Sequence, residues 1–93
     1  MVLTVKFIGA LRHISGETQL TINYEEDMSL KKLIAKISLE VPKLEKSFSD
    51  QTVDSTSNAL ILVNGREISV LNGLETKLND GDEIVFIPVV HGG

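Results

Sequence analysis

The stretch Ser29-Leu30-Lys31-Lys32-Leu33-Ile34-Ala35-Lys36-Ile37-Ser38-Leu39-Glu40-Val41-Pro42 decides the fold. Leu30, Leu33, Ile34, Ile37 and Val41 recur at helical spacing along one stripe, and Lys31, Lys32 and Lys36 take the opposite face. Ser29 or Asp27 can cap the amino end, because a short side-chain oxygen satisfies a free backbone N–H in the first turn. Pro42 stops the pattern: it cannot donate an internal hydrogen bond, and it biases Val41 away from helical geometry. One amphipathic helix must bury its stripe against something, and the flanking sequence supplies a sheet.

Upstream, Val2 to Ile8 alternates, with Leu3, Val5 and Phe7 on one face and Thr4, Lys6 and Ile8 on the other. Gly9 to Glu17 reads as a connection, and Thr18 to Tyr24 reads as a second strand forming an antiparallel hairpin with the first. Downstream, Lys43 to Phe48 suggests a short turn, and Ser49 to Asn58 is polar and aperiodic, a surface loop. Ala59 to Val63 is a third strand, Asn64-Gly65 a hairpin turn, and Arg66 to Val70 a short returning strand. Leu71 to Leu78 has no clear period, Asn79-Asp80-Gly81-Asp82 is a tight turn, and Glu83 to Val89 is the last strand. The expected class is α+β: a mixed sheet of four to five strands with one main helix packed on one face. The first and last strands can pair in parallel at its centre.

Composition narrows the function. Ninety-three residues, 42% apolar, make one domain with a modest core. A net charge of −4 lacks the basic footprint of a nucleic-acid binder and gives no attraction to anionic lipid, so neither nucleic acid nor membrane is an expected partner. With no cysteine, disulfides, thiolate metal sites and a nucleophilic thiol are excluded. Met1 to Ile8 is too short and wrongly flanked for a signal peptide, and no stretch approaches membrane-spanning length, so a cytoplasmic protein is expected. There is no phosphate-binding G-x-x-x-x-G-K-[ST] loop and no dinucleotide fingerprint.

The sequence closes on Val89-Val90-His91-Gly92-Gly93. Glycines without Cβ atoms can lie extended in a narrow channel of another protein, and a Gly93 α-carboxylate would be unhindered. A frayed chain end is the plain alternative. If Pro88 ends the ordered strand, the division is a body of residues 1–88 and a flexible tail of 89–93, and five residues at ~3.3 Å each reach about 16 Å.

Phe7-Ile8-Gly9-Ala10-Leu11-Arg12 with Gly16, the Val63-Asn64-Gly65 turn, Asp80-Gly81-Asp82-Glu83 and the terminal Gly92-Gly93 span nearly the whole chain. In that order they resemble the ubiquitin-like β-grasp superfamily. Within it they resemble the sulfur-carrier and ubiquitin-related modifier group, which includes molybdopterin synthase small subunits, the thiamine-pathway carrier and archaeal small modifiers. His91-Gly92-Gly93 is closer to the modifier types. The resemblance implies a β-grasp fold and a chain that is a substrate of partner enzymes rather than an enzyme. Gly93 would be adenylated with ATP by an E1-like enzyme and converted with a sulfur donor to a thiocarboxylate, while the carrier itself binds no cofactor. Its sulfur would pass to the molybdopterin synthase large subunit or another acceptor, molybdopterin synthesis being the first expectation. Transfer RNA thiolation, the thiamine pathway and conjugation to a lysine are the alternatives, and a β-grasp docking module that never reacts is a further one.

Other residues carry weaker signals. Ile84 and Phe86 alternate with Val85, Ile87 and Val89, so both faces of the last strand are apolar. One face should meet the helix; the other, with Ile8, would be either an exposed partner surface at the root of the tail or a covered central strand. Arg12 could steer a partner or hold a carboxylate, though a loop arginine is commonly just solvated. His91 could hydrogen-bond inside a partner's channel, but no neighbour orients it as a base. His13 and His91 are too few for a metal site. Asp80, Asp82 and Glu83 lack a calcium-loop pattern and read as turn chemistry, and the three helix lysines as a solvated face.

Overall fold

A computed structural model of the chain describes residues 1–16, 18–44 and 59–88. Strand β1 (Val2–Phe7), helix α1 (Ala10–Ser15), strand β2 (Gln19–Asn23) and helix α2 (Leu30–Glu40) are followed by β3 (Ala59–Val63), β4 (Arg66–Glu67) and β5 (Glu83–Pro88). The five strands form one sheet in the order β2-β1-β5-β3-β4, parallel between β1 and β5 and antiparallel elsewhere. The mixed sheet with one main helix and the central parallel pair thus hold as expected.

Alternation along each strand builds the core. Leu3, Val5 and Phe7 of β1, Ile22 of β2, Ile61 and Val63 of β3 and Ile84 and Phe86 of β5 are buried with Leu30, Leu33, Ile34 and Ile37 of α2. The Phe7 and Phe86 rings stack across the central pair with centroids 5.9 Å apart. Ser29, not Asp27, caps α2: its Oγ accepts the Lys32 N–H at 3.2 Å. Val41 follows α2, partly buried against the core, its N–H donating to the Ile37 carbonyl at 2.8 Å, and Pro42–Leu44 forms a 3-10 turn. Of the lysine face, Lys31 is exposed, whereas Lys32 (3.4 Å) and Lys36 both pair with Glu25 before the helix.

Two expectations need correction, and one open stretch gains a structure. The connection Gly9–Glu17 contains α1, which buries Leu11 in the core and ends where the Gly16 N–H donates to the Arg12 carbonyl at 3.0 Å. The return after Asn64-Gly65 stays a strand only through Glu67. There the Glu67 carboxylate accepts the Ser69 N–H at 3.0 Å and the Ser69 hydroxyl, turning Ile68–Val70 into a 3-10 turn. The unassigned stretch 71–78 holds a 3-10 turn at Gly73–Glu75, then straps the start of α2: the Leu30 N–H donates to the Thr76 carbonyl and the Leu78 N–H to the Met28 carbonyl, both at 2.9 Å.

The two tight turns are joined. Asn64 (φ 51) and Gly65 (φ 84) occupy the left-handed region that a two-residue hairpin requires. The Asn64 side-chain amide donates to Asp82 Oδ1 at 2.8 Å, and its Oδ1 accepts the Glu83 N–H at 2.9 Å. Asp82 Oδ2 accepts the Asn79 N–H at 2.7 Å, and Asp80 Oδ1 accepts the Val2 N–H at 2.9 Å. The aspartates are turn chemistry, as expected. The expectations placed on residues 45–58 and 89–93, including Val89 at the end of the last strand, lie outside the described residues.

Candidate functional site

Because β5 is central, its two faces have different neighbours. The face opposite the core is set by register: Leu60 lies beside Ile87, Leu62 beside Val85, and Lys6 beside Val85 on the other flank. Ile8 continues β1 next to Ile87, its N–H donating to the Phe86 carbonyl at 3.0 Å. None of Ile8, Leu60, Leu62, Val85 and Ile87 belongs to the core cluster. Ile8 is 45% exposed and Leu60 39%, while Leu62, Val85 and Ile87 are half-buried. Ile8, Val85 and Ile87 therefore come together, as the sequence suggests, in an apolar patch at the Pro88 end of β5. Among the described residues, no element packs over this face as α2 packs over the other. Toward the other end the surface turns polar, with Lys6 and Glu83 paired at 3.0 Å.

Leu60 and Leu62 also belong to the patch, and sequence reasoning does not single them out. Their signal is nonetheless present: Ala59-Leu60-Ile61-Leu62-Val63 is apolar on both faces, as β5 is. Arg12 is exposed on α1 rather than on a strand of the patch, and His13 beside it is exposed too. Val89, His91, Gly92 and Gly93 lie outside the described residues.

Among the described residues, no group of three or more His, Asp or Glu side chains could hold a metal. Two carboxyls are displaced from their ordinary range, both downward: Glu25, chiefly by the hydrogen bond from Lys36 and then that from Lys32, and Glu67 by its bonds from Ser69. Each shift comes from a contact at the surface. No described helix is long and apolar enough to cross a membrane.

What the described residues offer is a sheet face, and the comparison with known proteins adds the family. The ThiS family model matches residues 5–93. The chain belongs to the ThiS family. Small archaeal modifier protein 3 of Haloferax volcanii is 29% identical over 94 residues, covering 100% of both chains. The solution structure of small archaeal modifier protein 1 from Methanosarcina acetivorans is 30% identical with a TM-score of 0.77, covering 99% of this chain and 96% of that one. A chain of the Helicobacter pylori complex of molybdopterin-converting factor subunits 1 and 2 is 28% identical with a TM-score of 0.64 and full coverage of both. These are ubiquitin-like β-grasp proteins, so the fold implied by the sequence motifs is the one the chain has. As a ThiS-family member it is a small carrier or modifier of the sulfur-carrier type, not a catalyst.

Proposed function

We propose that the chain carries sulfur at its carboxyl end. The Gly93 carboxylate oxygen attacks the α-phosphorus of ATP on an E1-like partner, pyrophosphate leaves, and an acyl-adenylate remains. A sulfur nucleophile from a donor then displaces AMP. With a persulfide donor, reduction of the resulting acyl disulfide releases the thiocarboxylate. ATP and donor are bound by the partner, and residues 1–88 serve as the body that presents residues 89–93. Ile8, Val85 and Ile87, with Leu60 and Leu62, form the docking face, extended by Val89, and Arg12 steers the approach; burying such a patch is the favourable contribution a partner can gain here. His91 and Gly92 lie in the partner's channel, where the missing Cβ of glycine permits close passage.

The observation that carries this reading is the extent of the family match, which runs through β5 and on to residue 93. Delivery to a molybdopterin synthase large subunit is the pathway we favour, supported by the full-length similarity to a chain of the molybdopterin-converting factor complex of H. pylori. Conjugation of the activated end to a lysine is the second reading, supported by the end-to-end similarity to the H. volcanii modifier.

Intact mass spectrometry tests the chemistry. After incubation with ATP, an E1-like enzyme and a sulfur donor, the free protein should gain the mass of one oxygen-to-sulfur replacement. Deletion of Gly92 and Gly93 should abolish that gain and ATP-dependent pyrophosphate release, with the fold and docking affinity kept. Gly92→Ala should cost activation far more than melting temperature. A truncated chain that still stimulates pyrophosphate release removes Gly93 from the reaction and leaves the docking module. Mass added instead to a lysine-bearing target selects the modifier reading.

A further inference from the structure

β1 and β5 run side by side and part at one place. Phe7 pairs with Phe86, and the Ile8 N–H donates to the Phe86 carbonyl at 3.0 Å. In a parallel ladder the next bond from β5 on this side would be donated by residue 88 to the Ile8 carbonyl. Residue 88 is proline and has no N–H, so that rung cannot form. The ring takes the space instead and lies over Gly9: a Cβ built there would stand 3.2 Å from Pro88 Cγ and 3.7 Å from Pro88 Cδ. Gly9 itself has φ 61 and ψ −133, a combination that a Cβ strongly disfavours. Its carbonyl accepts the Arg12 N–H at 3.0 Å, turning the chain into α1. Glycine is thus favoured twice at one position: its own backbone strains any Cβ, and a Cβ there would press on the Pro88 ring, which would have to give by a few tenths of an ångström.

Pro88 is the last residue of β5, and residues 89–93 follow it in the sequence. We infer that Gly9 is a positioning residue for the tail reaction: by admitting the Pro88 ring it separates β5 from β1 and aims Gly93 at the activating site. This rests on the reading of Gly93 as the activated carboxyl group. Gly9 does not touch the reacting atoms. Its effect passes through the packing of one ring, and misplacing a reacting group by about 1 Å can cost about a hundredfold in rate.

The test uses the full chain with an E1-like adenylating enzyme, ATP and a sulfur donor, following pyrophosphate release at saturating carrier and docking affinity separately. Gly9→Ala should lower kcat about tenfold or more while the docking Kd, set by the outer sheet face, moves less than about threefold. Pro88→Ala leaves Gly9 unstrained but restores an N–H able to continue the ladder into the tail; it should also lower kcat and needs no forced Cβ, so it decides the matter if Gly9→Ala does not fold. The amide chemical shifts of Ile87 and residues 89–93 give a readout without enzyme and should move in both variants. A fall in melting temperature with kcat per folded molecule unchanged, or Pro88→Ala at the wild-type kcat, overturns the role of Gly9. A wild-type chain that never gains sulfur overturns the Gly93 reading itself, and the two failures are told apart by that control.

Discussion

Removing the Asp82 carboxylate should unlatch the hairpin β3–β4 from the start of β5. Asp82 is 8% exposed and accepts two bonds, from the Asn79 N–H at 2.7 Å and the Asn64 amide at 2.8 Å. Asn64 is held in turn by the Glu83 N–H at 2.9 Å, so one side chain ties the Asn64-Gly65 turn to both sides of the 79–82 turn. Hydrogen bonds to a charged acceptor contribute roughly 1.5–3 kcal/mol, and solvent at the rim favours the lower figure, so Asp82→Ala should cost about 3 kcal/mol. A domain of this size has a total stability of roughly 5–14 kcal/mol, so that is a large share. At about 4–8 °C per kcal/mol, the melting temperature should fall by about 12–24 °C.

Urea denaturation provides the assay, with the midpoint shifting and the slope constant. Asn64→Gly is the partner variant, because it removes the amide without imposing a Cβ on a residue at φ 51. Since both variants break the same bond, their effects should fall short of additivity by about 1–2 kcal/mol. Asp82→Asn keeps an acceptor for Asn79 but turns a donor toward Asn64, and should lose about half as much as Asp82→Ala. Activation per folded molecule should not change, because the latch lies about 20 Å along β5 from Pro88. A loss under about 0.5 kcal/mol, the ordinary size of a surface substitution, or strict additivity with Asn64→Gly would refute the latch.

Three more outcomes follow from the same contacts. Ile37→Ala, at a fully buried position of α2, should cost about 2–5 kcal/mol in denaturant midpoint while leaving the sulfur mass gain of the folded fraction intact. Leu60→Asp, on the outer face at 39% exposure, should change stability by about 1 kcal/mol or less yet weaken docking to the activating enzyme about tenfold or more, measured by calorimetry. The Glu25 carboxyl is lowered below its ordinary value of 4.5 by Lys36 and Lys32. Its contribution is therefore fully present above the unfolded-state value and lost as pH falls through the lower folded one. The melting difference between wild type and Glu25→Gln should shrink from pH 7 to pH 3 and shrink again in high salt; a difference that grows on acidification would contradict the pairing.

The parts of the fold that sequence made legible are those with enough length to show a period. Leu30, Leu33, Ile34 and Ile37 repeat over about two turns, and Leu3, Val5 and Phe7 alternate with Thr4 and Lys6 along β1. Helix α1 escaped because six residues, fewer than two turns, contain no usable period, although Gly9 before it and Gly16 after it mark both ends. Ile68-Ser69-Val70 carries strand-like side chains, and the Glu67 carboxylate, reaching the Ser69 N–H, helps hold it in a turn together with the Leu71 N–H bond to the Ile68 carbonyl. That is a competition between a local side-chain bond and a ladder, which composition cannot settle.

The site divides the same way. Gly92-Gly93 can be read only as letters, because the chemistry proposed for them calls on an absent Cβ and a carboxylate rather than on a periodic pattern. The outer face needs register. In β5 apolar residues occupy both sides, so the strand by itself does not say which side meets the core; the pairings Leu60 with Ile87 and Leu62 with Val85 resolve it by putting leucines beside them on the side away from Phe86. Gly9 shows the deepest limit. A glycine between Ile8 and Ala10 looks like loop filler until the ring of Pro88, seventy-nine positions further along the chain, is found in tight contact with where a Cβ would stand. The contact between Gly9 and Pro88 is thus set jointly by the ends of the first and last strands, and a substitution at either should be judged by what it does to the other.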